Sequence, residues 1–283
     1  TINSTSKSKT SKKNITLRNG GLYVANQGTA PGKRYYPSAL YIKECENIAL
    51  DGVVFEGRGE SYGDSDASAS LPKEARMDFL GQNGGHAVVA TRSTGITIRD
   101  SEFRLCGSTG SVYFSSCTKV KISGTFSNPA SLGYSAFCFD SWTGGIADSG
   151  FEEHDAYLDN CFSGKETILR REDGAQVDSN IYSSQHCVTG EDKDVKVYVT
   201  GGHFADCYGN SGPSGHRRGS AFQAGSCLVD VKGAHVERVT YLCSTGVSTT
   251  TPGTVKVKDA TGTVATGAYI SADKPFGAHF CYL

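Results

Sequence analysis

No long window of this 283-residue chain carries apolar residues at the i, i+3, i+4 spacing of an amphipathic helix, and methionine and tryptophan each occur once. Helix is therefore a minor component at most. Excess charge is missing too. Basic and acidic side chains number 28 and 29, a formal net charge of −1, without the basic stripe that marks nucleic-acid-binding proteins. No apolar run approaches the roughly 20 residues that a membrane-spanning helix needs. Neither a nucleic acid nor a membrane is expected as a partner. The opening T-I-N-S-T-S-K-S-K-T-S-K-K-N lacks an initiating Met and a signal-like apolar core. It reads as processed, or cut from something longer, with residues 1–13 a solvated linker or strand edge.

C-x-x-C is absent, which removes the usual framework of a structural zinc site. The ten cysteines lack the paired spacing of a small disulfide scaffold, and the chain is long enough to bury a core without one. Cys45 and Cys117 stand three residues before a strand starts, and Cys106 and Cys207 three after a strand phenylalanine. Such recurring offsets predict small buried residues stacked in ladders. Free buried thiols in turn suggest folding in a reducing cytoplasm, even for a protein that later works outside.

What the chain does have is a repeat. In T-G-I-T-I-R-D-S-E-F-R-L-C (94–106), Ile96 and Ile98 alternate with polar residues, Asp100-Ser101 turns the chain, and Phe103 and Leu105 resume the alternation. With Ile98 as anchor, an apolar residue lies two before it and another about five after. Leu17, Leu50, Ile122, Ile146, Val199 and Val231 fit the same frame; Val257 fits its first half, and Val177 with Ile181 more loosely. Anchors recur every 22 to 33 residues or so, with a longer gap between Leu50 and Ile98, the period of a solenoid. Ile98, Ile122 and Ile146 are equally spaced and predict regular stacking. The long departures are an insertion over residues 57–92, with a short helix expected around Pro72 to Leu80, and excursions within 126–144, 152–174 and 208–223. Equivalent apolar positions with variable loops between them favour an all-β parallel β-helix of about eight or nine rungs over residues 14–266, with 267–283 as tail or cap.

The rungs N-I-A-L-D-G-V-V-F-E-G (47–57) and G-I-T-I-R-D-S-E-F (95–103) resemble those of the right-handed, single-stranded parallel β-helix superfamily of pectate lyases, polygalacturonases and bacteriophage tailspikes. The resemblance spans roughly residues 13–266. The polygalacturonase motifs N-T-D, D-D, G-H-G and R-I-K are absent; G-G-H (84–86, 201–203) and S-G-H-R-R-G (214–219) are partial echoes. The cysteine usage and the start of the chain are more similar to a phage tailspike. That likeness implies a homotrimer on a virion tail, folded in the host cytoplasm, which binds and often cleaves bacterial surface polysaccharide, with a secreted protein as the alternative.

Glycoside hydrolysis needs one carboxylic acid to protonate the leaving oxygen and one carboxylate to activate water or attack, and Trp or Tyr faces stack on sugars. The densest group of this kind is Asp140, Glu152, Glu153 and Asp155 as catalytic candidates, with Trp142 and His154 as substrate contacts. The position after each second apolar strand residue should face outward, placing Tyr23, Glu56, Arg104, Ser127, Glu152, Ala205 and Glu237 in one ladder; Glu56 and Arg104 join the candidate contacts. His216 and Arg217 in a Gly-rich loop suit an anionic sugar, whereas His203, in a rung turn, reads as structural. Asp64 and Asp66 lack a calcium-loop pattern. No cofactor and no metal are expected. A non-catalytic glycan-binding adhesin or tail shaft, and a polysaccharide lyase using His and Arg, are the competing readings.

Overall fold

A computed structural model describes residues 2–3, 12–24, 38–57, 86–106, 110–129, 135–143, 146–147, 154–164, 186–207, 220–239, 241–245, 253–264 and 281–282. Their strands form three parallel sheets of eight, nine and eight strands and one antiparallel pair. Each rung visits the first, second and third sheets in that order. Ser38–Lys43, Glu46–Asp51 and Val54–Gly57 make one rung; His86–Thr91, Thr94–Arg99 and Glu102–Cys106 make the next. The chain is a right-handed parallel β-helix. No described residue is helical.

The alternation in the sequence is what closes the coil. On the second sheet Ile48, Ile96, Val120, Ala156, Val197, Val229 and Val255 form one inward column, and Leu50, Ile98, Ile122, Leu158, Val199, Val231 and Val257 another. All are buried. Phenylalanines fill the width of the coil: Phe55 stacks near Phe103 at 5.2 Å, Phe114 on Phe139 at 5.4 Å, and Phe204 meets Phe222 edge-on at 5.2 Å.

The corner between second and third sheets is two residues long in all eight rungs where both of its strands are described. Its first residue always has positive φ: Asn19, Gly52, Asp100, Gly124, Asn160, Gly201, Gly233 and Asp259. Asn, Asp and Gly are the residues that enter this left-handed region at least cost. Their order has a further cause. A Cβ on Gly52 would meet Asn19 Oδ1 at 2.8 Å, and Gly124 and Gly201 are similarly overlain by Asp100 and Asn160. An Asx side chain thus demands glycine on the following rung. Gly233 follows a glycine and has open space around its missing Cβ. Gly233→Ala should therefore cost only the left-handed conformation, about 1–2 kcal/mol, while Gly201→Ala loses more. Urea midpoints for both, with and without Asn160→Gly, check this; equal losses in the Asn160 background would refute the side-chain clash.

The second corner residue is small in these rungs, and it is buried at Val53, Ser101, Thr125, Cys161 and Ala234. Ser101 Oγ and Thr125 Oγ1 donate back to the carbonyls of Arg99 and Ser123 at 2.7 and 2.9 Å. Cys45 and Cys117 occupy the equivalent ladder at the corner between first and second sheets, with Ser93 on the rung between them. Burial pushes the thiols of Cys117 and Cys161 up to about 12, so they behave as small core residues. Among the described residues six buried cysteines lie outside any disulfide, but Cys243 is disulfide-bonded, contrary to the expectation of thiols throughout.

Several sequence expectations need correcting. The repeat captured only the second and third sheets, so His86–Thr91, a first-sheet strand, fell inside the supposed insertion 57–92. Ile146 is no rung anchor. It pairs with Thr143 in the antiparallel pair Trp142–Thr143 and Ile146–Ala147. The rung is supplied by His154–Asp159, with Leu158 in the anchor column. Because the corner length is fixed, the residue five after Ile122 is Ser127, which is buried, while Phe126 is the half-exposed partner of Glu102. The helix expected near Pro72 and the loose repeat at Val177 lie outside the described residues.

Candidate functional site

On the first sheet, Tyr113 and Ser115 alternate with core residues Val112 and Phe114, and Cys138 and Asp140 alternate with Phe137 and Phe139. The polar set thus has outward parity, yet Ser115, Cys138 and Asp140 are all buried. The Tyr113 hydroxyl donates to Asp140 Oδ2. Burial above all, and then the charge of Asp140, pushes the Tyr113 hydroxyl far above its ordinary value, which keeps it a donor. The His86 ring lies 5.5 Å from that of Tyr113. Cys138 is raised as well, first by burial and then by Glu191. Beside it on the next rung is Thr189, whose buried Oγ1 has no hydrogen-bond partner.

Asp140 ends its strand at the corner between first and second sheets, and two more carboxylates are fixed there by backbone amides. Ser141 N–H donates to Asp192 Oδ2 at 2.8 Å, and Lys119 N–H to Asp155 Oδ1 at 3.1 Å. The residues between are tied in: Ser116 N–H donates to Asp140 O and Ser116 Oγ to Ser141 O, both at 2.8 Å. Asp140 and Asp192 stand on neighbouring rungs, and neighbouring rungs are about 4.8 Å apart. Asp140 is buried while Asp192 is half-exposed. One carboxyl is shielded and the other wet.

The adjoining second sheet presents Asp155, Tyr157 and Asp159 outward, with Lys196 and Tyr198 as register partners on the next rung. The rings of Tyr157 and Tyr198 stack at 5.1 Å, and Tyr157 is 42% exposed. This aromatic pair lies two residues along from Asp155, so the carboxylate corner opens onto a tyrosine-bearing face.

The sequence candidates divide as follows. Asp140 and Asp155 are at the corner, and the short strand Trp142–Thr143 begins two residues after Asp140. His154 is buried, with the inward parity of Ala156 and Leu158, and pairs with core Val195; it is no surface contact. Glu56 and Arg104 are register partners on the third sheet, well away from this corner, and Arg104 forms an ion pair with Glu102. Ser127, expected in the outward ladder there, is buried, and Arg104 has Asn128 as its register partner on the next rung. Glu152, Glu153, His216 and Arg217 lie outside the described residues. Tyr113, Asp192 and the Tyr157–Tyr198 pair escaped notice in the sequence. Only register could have found them, although V-Y-F in 112–114 carries the alternation.

Further along the first sheet, His186 Nδ1 lies 2.7 Å from Ser220 Oγ, which lies 2.8 Å from Ser244 Oγ. Burial drives His186 down to about 3. Below pH 6.5 the unfolded chain takes up a proton that the folded chain refuses. Stability from this group is thus intact above pH 6.5 and drains away as pH falls toward 3, at up to about 1.4 kcal/mol per unit. His186→Gln should flatten the difference in melting temperature between pH 6.5 and 4; parallel curves for both proteins would refute it.

No protein-family model matches the chain, and no curated protein sequence matches it. The function must come from the geometry of the corner.

Proposed function

We propose that this β-helix binds bacterial surface polysaccharide, capsule or O-antigen, and cleaves it by glycoside hydrolysis at the corner between its first and second sheets. The observation that carries the reading is the set Asp140, Asp155 and Asp192, gathered there from three separate stretches of chain and held by Tyr113 and two backbone amides. Asp140 protonates the leaving oxygen from its shielded position; Asp192, in contact with solvent, activates the attacking water. Two carboxyl groups share the work of glycoside hydrolysis, and Asp140 and Asp192 stand on neighbouring rungs of the same corner. Tyr157 and Tyr198 offer ring edges and hydroxyls to sugar units lying along the second sheet. The tailspike-like resemblance of the rungs supports a polymeric substrate and a homotrimeric assembly.

Incubation with a panel of capsular and O-antigen polysaccharides tests this, following new reducing ends and absorbance near 235 nm. Reducing ends without absorbance are expected. Absorbance would replace hydrolysis with elimination. Binding without either signal would leave a glycan-binding module, the role for which the tyrosine pair alone suffices.

A further inference from the structure

Two histidines and a glutamate meet on the outward side of the third sheet. His203 and His235 are register partners on adjacent strands, and Glu237 lies two residues beyond His235, so the pleat turns all three to one face. The imidazoles lie edge to face with centroids 4.9 Å apart. His203 Nε2 is 3.1 Å from Glu237 Oε1, and His235 Nδ1 is 3.0 Å from Thr261 Oγ1 on the next rung. One donor atom from each of the three lies within 4.8 Å of the others, and no other such trio of His, Cys, Asp or Glu occurs among the described residues.

We propose that His203, His235 and Glu237 form a binding site for a divalent first-row transition ion of the zinc class. The donor set decides the class. Two imidazole nitrogens and one carboxylate oxygen suit zinc, cobalt or nickel; calcium and magnesium take oxygen shells, and copper(I) takes sulfur. Spacing agrees. Ligands about 2.1 Å from a tetrahedral ion stand about 3.4 Å from one another. The closest pair is already near that separation, and the remaining closure is small enough for side-chain rotation, since His235 is exposed and its two companions are half-buried. Thr261 orients the His235 ring through the kind of outer hydrogen bond that ligating histidines use. With three protein ligands, a fourth position stays open to water.

Such an ion joins two rungs, His203 on one and His235 with Glu237 on the next. It sits on a different sheet from the carboxylate corner and does not depend on the polysaccharide reading. Ion binding to the native fold must raise the melting temperature.

The test uses the whole chain after chelator treatment, titrated with cobalt(II) and zinc(II), with magnesium(II) and calcium(II) as controls. Expected are one equivalent bound, visible cobalt bands without thiolate charge-transfer absorption, and a melting temperature raised by several degrees in zinc alone. His203→Ala, His235→Ala and Glu237→Gln should each weaken binding at least tenfold, while melting like the parent in chelator. No cobalt bands and no zinc-dependent shift would overturn the proposal. So would undiminished binding by the triple variant, or thiolate bands, which place the ion on cysteines.

Discussion

Asp140→Asn should lower the rate of reducing-end release by about 10²- to 10⁴-fold, the usual contribution of a positioned acid or base. Asparagine keeps the shape of the residue and an oxygen to accept from Tyr113, but cannot carry a proton to a leaving group. The substitution also puts an amide N–H₂ where a buried carboxyl oxygen stood, and an unsatisfied buried donor costs about 1–3 kcal/mol of stability. Rate and melting temperature must therefore be measured together, with the rate taken well below the melting transition. Asp192→Asn should cause a rate loss of the same order with little change in stability, since Asp192 is half-exposed. Asp155→Asn should act chiefly on substrate affinity. Full activity in Asp140→Asn would remove this corner from consideration as the hydrolytic centre, and loss confined to Asp155→Asn would move the chemistry to the second sheet.

The largest expected loss of stability belongs to Phe103→Ala, at about 3–5 kcal/mol. Phe103 is fully buried and packs 5.2 Å from Phe55 across one rung, with Ser127 on the other side. Serine is too small to move into the vacated space, so the cavity persists. Phe162→Ala provides the contrast on the same sheet. Phe162 has outward parity and is 41% exposed, and its truncation should stay within about 0.5 kcal/mol of the parent. Denaturant midpoints decide. Similar losses in the two variants would mean that inward and outward positions of the third sheet have been exchanged.

Much of this coil was legible in the sequence. Alternation at Ile96 and Ile98, a turn at Asp100-Ser101 and a return at Phe103 specify two strands and their common inward face, and the same frame recurs from Leu17 to Val257. The first sheet was not legible. Its strands, such as S-A-F-C-F-D (135–140), are buried on both sides, so they show continuous small and apolar residues where a half-buried strand shows alternation. They also follow connections of uneven length, which hides their period. Ile146 misled because a short apolar strand fits a repeat as well as it fits an antiparallel pair. The corner carboxylates were half-visible. Asp140 and Asp155 stood out by local density, whereas Asp192 belongs to the following rung, and only register brings it to Ser141.

The uniform two-residue corner fixes the phase between second and third sheets in those eight rungs, while the connections from third sheet back to first, such as 58–85, 164–185 and 208–219, differ widely in length. Closing a longer loop is inexpensive, roughly 0.6 kcal/mol for each doubling. The length of one edge of the cylinder can therefore change at little cost, while the opposite edge keeps time for the winding.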